Sequence, residues 1–140
     1  MKDNAAANSV LDRYTNRVAN SEPATAEAEA ADDLGAFGWL RGVRDRAIML
    51  ELRHKDGKVT AFGYAWLERA EFDPSDGITL HFAGKEVRIT GRNLNADNQP
   101  NIRLFNGILR HRVPWVQEAD GAEVMSFDSK STIIEALIVT

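Results

Sequence analysis

Six basic side chains fall within 25 positions of one another: Arg88, Arg92, Arg103, Arg110, His111 and Arg112, with Trp115 close behind. A guanidinium carries its donors in a planar fork that matches phosphate or carboxylate, and an aromatic ring beside it can stack on a base. Gathered on one face, these seven residues would bind a polyanion or a nucleic acid. The competing reading is a solvated face, in which the arginines pair with Glu86, Asp97, Glu118 and Asp120 while Trp115 is buried. A net charge of −4 favours the second, because nucleic-acid binders are usually basic.

Other reactive groups are sparse. His54, His81 and His111 are the only histidines, and none stands at the two- or four-residue spacing of zinc motifs. His81 falls with Thr79 on the outer side of its segment. Gly35, Gly38 and Gly42 follow no strand and precede no Gly-Lys-Ser/Thr, so they do not form a phosphate loop. Ser126, Ser129 and Ser131 lack the frame of a nucleophile elbow. The carboxylate pairs Asp73 with Asp76 and Glu118 with Asp120 lie in turn-like stretches, where solvated or turn-forming roles are the common ones. Without cysteine, thiolate ligands, thiol nucleophiles and disulfides are excluded. No catalytic residue, metal ligand or cofactor is therefore assigned.

The elements that must position these side chains are read from periodicity. Residues 78–94 alternate, with Ile78, Leu80 and Phe82 before a turn at Ala83, Gly84 and Lys85, and Val87 and Ile89 after it. That is a β-hairpin with one buried face. Residues 47–54 form an earlier strand with Ile48, Leu50 and Leu52 inward. An Asp56-Gly57 turn leads to a second strand over 58–67, whose Thr60, Phe62, Tyr64 and Trp66 share one face. Its other face carries the small residues Ala61, Gly63 and Ala65 along with Val59 and Leu67, and implies a close neighbour. Residues 69–77 read as a loop through Pro74, Ser75, Asp76 and Gly77. Ile102, Phe105, Ile108 and Leu109 predict a helix near 101–111 capped by Asn101, and Pro114 marks an edge strand through Trp115 and Val116.

The chain divides by charge. Residues 1–35 carry a net −4, residues 36–113 a net +4 and residues 114–140 a net −4. In the first segment Val10, Leu11, Tyr14 and Val18 stand at helical spacing behind Ser9, and an Ala/Glu-rich stretch follows. Such composition predicts a disordered or partly helical acidic segment over 1–35, followed by one β-rich domain over 36–140. The fold class expected is α+β: an antiparallel meander of four to six strands, either an open sheet or a small open barrel, with the one helix. No apolar run reaches membrane-spanning length, so a cytoplasmic, membrane-free protein is expected.

Residues Thr132 to Thr140 are mostly apolar, and either add a strand to the sheet or meet another subunit. The leading functional expectation is thus a non-enzymatic binding or scaffolding module, associating with itself or another protein through a strand edge and this C-terminal run. Polyanion or nucleic-acid binding through the arginines is the alternative. An enzyme whose histidines and carboxylates meet only in three dimensions is the third.

Overall fold

Nine strands and a short helix form among the described residues, 31–97, 100–121 and 130–140 of this computed structural model. Strands β1 (Ala31–Asp33) and β2 (Gly38–Leu40) make a two-stranded ribbon. Strands β3 (Met49–Arg53), β4 (Val59–Gly63) and β8 (Trp115–Gln117) form a sheet in the order β4-β3-β8. Strands β5 (Leu67–Asp73), β6 (Gly77–Phe82), β7 (Lys85–Arg92) and β9 (Ile133–Val139) form another in the order β5-β6-β7-β9. Neighbours run antiparallel except β3 and β8, which are parallel. The result is mainly β with one helix, α1 (Leu104–Leu109), among the described residues, and its sheets do not close into a barrel. The strands exceed the four to six expected and divide among three sheets.

Alternation places the core. Ile78, Leu80 and Phe82 on β6 and Val87 and Ile89 on β7 are at most 1% exposed, as the hairpin pattern required. Leu50 and Leu52 on β3, Val116 on β8, Ile134 and Leu137 on β9, and Leu104 and Ile108 on α1 join them in a single apolar cluster. Phe62 of β4 stacks on Phe82 of β6 with ring centroids 4.9 Å apart, tying the two larger sheets together. Phe105 meets Phe72 at 5.8 Å and seats α1 against β5.

Several expectations are corrected here. The second strand stops at Gly63, and Tyr64–Trp66 forms a 3-10 turn that carries the chain from one sheet to the next. Such a turn breaks the two-residue period, so Tyr64 is buried while Trp66 points outward at 64% exposure. Ile48 precedes β3 and is 72% exposed, not inward. The small side of β4, Val59 and Ala61, faces solvent without the neighbour predicted for it. Leu67–Asp73 is strand rather than loop, and only Pro74–Asp76 remain as the turn.

The helix is also shorter than 101–111. Asn101 has φ 67°, which cannot continue into a helix, and Arg103 rather than Asn101 occupies the N-cap without a side-chain bond. Gly107 sits inside α1 because a Cβ there would collide with the Trp39 ring and come within 2.9 Å of Val113 Cγ2. Its helix-weakening effect is thus offset by close approach. Residues 1–30 lie outside the description, while Ala31–Asp33 forms β1 and the LGAFGWLRG segment buries Phe37, Trp39 and Leu40.

Candidate functional site

The open edge of β4 follows from its pairing. The bonds His54 N–H to Lys58 O (2.8 Å) and Tyr64 N–H to Ile48 O (2.9 Å) set the phase of the β3–β4 ladder. In an antiparallel pair the bonded residues alternate, so Val59, Ala61 and Gly63 direct their N–H and C=O groups away from β3. No described strand lies on that side. Between Val59 and Gly63 there is no charged residue, no proline and no bulge. Trp66 leans over the end of this edge, its Cδ1 3.1 Å from where a Cβ of Gly63 would stand, with Met49 Sδ at 3.7 Å from the same point. Ile48, Met49, Val59 and Trp66 are all exposed, which makes an apolar rim along backbone that pairs with no described strand.

The other edges are covered or charged. On β9, Glu86 and Thr140 exchange both backbone bonds at 2.9 Å, so the C-terminal run joins the sheet through β7. Its far side is closed by Ala119 N–H to Ile134 O (2.8 Å) and by Leu137 N–H to Glu118 Oε2 (2.7 Å). Glu118 also accepts from Lys55 N–H at 2.9 Å, so one largely buried carboxylate pins the β3–β4 turn to β9. Sequence reading placed Glu118 among solvated acids, and nothing in its neighbourhood marks it otherwise.

The seven residues singled out for anion binding are dispersed. Arg88 lies on the outer face of β7, in a groove with Arg69, Glu71, His81 and Glu86. Arg92 lies at the end of β7, its Nε 3.7 Å from Glu135. Arg103 donates to Asp97 at 2.7 Å; the bond holds the aspartate below and the arginine above its ordinary pKa. Trp115 is 6% exposed, with the Arg53 guanidinium 4.4 Å above its ring and Gly38 beneath it, so it offers no free stacking face. His111 stacks on Tyr64 at 4.4 Å, and burial, then the Arg46 charge, hold its pKa below the usual histidine value. Arg112 donates to the carbonyls of Leu40, Gly42 and Val43 and lies 5.4 Å from the Trp39 ring centre. Arg110 and Arg112 share a groove, joined there by Arg46.

Histidine meets carboxylate in two places. His81 Nε2 lies 3.7 Å from Glu71 on an open sheet face, where Arg69 already holds Glu71 at 2.7 Å, and His54 Nδ1 lies 3.9 Å from Glu118. No cluster of three or more His, Asp or Glu residues able to hold a metal occurs among the described residues. No helix among them is long and apolar enough to cross a membrane. Compared with known proteins, the chain matches no protein family, no curated protein and no solved structure. The function therefore has to be argued from these surfaces.

Proposed function

We propose that the chain is a non-enzymatic binding module that associates with a second copy of itself through the open edge of β4. The observation that carries this reading is an unpaired, uncharged strand edge flanked by the 64%-exposed Trp66. An edge of that kind is a template for strand addition, and soluble proteins usually blunt it.

The register favours a like partner. Two β4 strands meeting antiparallel about Ala61 would set Val59 opposite Gly63 of the second copy and Ala61 opposite Ala61. The large residue then meets the residue with no side chain, and Trp66 of each copy covers Val59 of the other. About six backbone hydrogen bonds would form, because each outward residue carries one donor and one acceptor. An interface this small is expected to be weak, in the range of about 1–100 µM.

Size-exclusion chromatography with light scattering, run on the full chain over a concentration series, tests it. A concentration-dependent dimer that Ala61→Lys and Trp66→Ala each convert to monomer supports the proposal. A wild-type monomer at about 500 µM, well above that range, removes it.

A further inference from the structure

The groove shared by Arg46, Arg110 and Arg112 has a volume of about 360 Å³, and its wall also includes Trp39, Asn101 and Asn106. No carboxylate lines it among the described residues. Two other grooves of this molecule do contain acids: Asp76 and Glu135 in the one at the β5–β6 turn, and Glu71, Asp73, Asp76 and Glu86 on the outer sheet face. Acids outnumber arginines in both of those, whereas the described lining of this groove holds arginines alone as its charged groups.

The fold holds the cations in place. Arg112 is tethered to three backbone carbonyls and lies against Trp39, and Arg46 donates to Asp45 O at 2.9 Å and to Val43 O at 3.4 Å. Carbonyl partners fix a guanidinium without placing an opposite charge beside it. Arg110 follows the last turn of α1, is exposed, and has no side-chain partner among the described residues. Two pinned guanidiniums, one unengaged one and the amides of Asn101 and Asn106 thus surround one space. Guanidinium forks match phosphate oxygens in pairs, and three such charges suit a phosphate dianion, or two successive backbone phosphates, better than a single carboxylate. The volume falls at the small end of ligand sites, enough for a phosphate group and a modest body.

We infer that this groove is a phosphate-binding site, in which Arg46, Arg110 and Arg112 hold the phosphate of a small ester or of a single-stranded nucleic-acid backbone. It is separate from the β4 edge and does not depend on association there. Burial first, and then the Arg46 charge, hold the His111 pKa below its ordinary value, and the second of these agrees with positive charge near the groove.

The experiment is an amide NMR titration of the full chain with inorganic pyrophosphate, with sodium chloride adjusted to keep ionic strength constant. Saturating shifts centred on the amides of Arg46, Asn101, Asn106 and Arg110 are expected. Arg110→Ala should weaken the midpoint about tenfold, as for loss of one charge-assisted contact, whereas Arg88→Ala on the other sheet should leave it unchanged. Arg110 is chosen because its side chain has no partner among the described residues and its backbone bonds survive in Ala; Arg112→Ala would confuse binding with folding. A second titration with a single-stranded oligonucleotide separates the sources. Tighter, salt-sensitive saturation of the same amides assigns a nucleic-acid backbone, and a preference for pyrophosphate assigns a small ester. Shifts that never saturate, or that are equal in wild type and Arg110→Ala, overturn the site.

Discussion

Strands β4 and β5 follow each other in the chain, separated only by Tyr64–Trp66, and each ends its sheet. Yet they treat that exposed position in opposite ways. On β5 the solvent-facing residues are Glu68, Arg69, Glu71 and Asp73, and the pairing with β6 slips between Leu67 and Arg69. Charge and a bulge are the usual protections of an edge, because an incoming strand would have to desolvate the one and match the other. β4 exposes Val59 and Ala61 in regular register and carries neither protection. The difference teaches that openness of an edge is a local property of sequence, and it is on the apolar edge that the proposed self-association rests.

The largest expected effect comes from a third edge, that of β9, which the chain closes for itself. Glu118→Ala removes the acceptor for both Lys55 N–H and Leu137 N–H, and should destabilise the fold by about 3 kcal/mol in urea titration. A loss below about 0.5 kcal/mol would mean that the carboxylate covers nothing that matters.

Next, Ala61→Lys should lower self-association about 100-fold while the unfolding free energy stays within roughly 0.5 kcal/mol, since the side chain is exposed. Light scattering and urea denaturation on the same sample read the two quantities separately. The reciprocal change sharpens the contrast: Arg69→Val with Glu71→Val strips charge from β5 and should produce new association, about tenfold above the background of the Ala61→Lys protein. If it does not, the bulge alone protects β5.

The smallest effect concerns the corner between the two strands. Tyr64 donates to Val113 O at 2.7 Å and stacks on His111, whose folded pKa lies below the ordinary 6.5. The unfolded chain therefore binds the proton more readily, so this contribution to stability is complete above the unfolded pKa and is lost as pH falls through 6.5 toward the folded value. Melting temperature should drop between pH 7.5 and about 5.5. His111→Asn should flatten that drop, asparagine being able to keep the positive φ of 58° without titrating.

What the residues disclose in advance is uneven, for physical reasons. The β6–β7 hairpin was legible because one face is wholly buried and Gly84, at φ 89°, permits the turn. Most of β5 was not, because beyond Leu67 a charged edge strand with only Ala70 and Phe72 turned inward has the composition of a loop. Ile48 and Trp66 were misplaced because the sheet-to-sheet turn interrupts the alternation by which they were assigned. Proximity along the chain does not match proximity in the fold for the arginines. It grouped Arg88 and Arg103 with Arg110, although their surroundings differ, and it passed over Arg46, which lies far away in sequence and beside Arg110 and Arg112 in the fold.

The parallel pairing of β3 with β8 and the docking of β9 on β7 have a temporal consequence. Glu51 waits for Trp115, and Val87 for Val139, so the contacts that complete both larger sheets join distant parts of the chain. Topologies of that kind form slowly, since the intervening polymer must be gathered before any contact rewards it. During synthesis the β3–β4 hairpin emerges well before β8 and β9, and a nascent chain would display its bare edges until they follow.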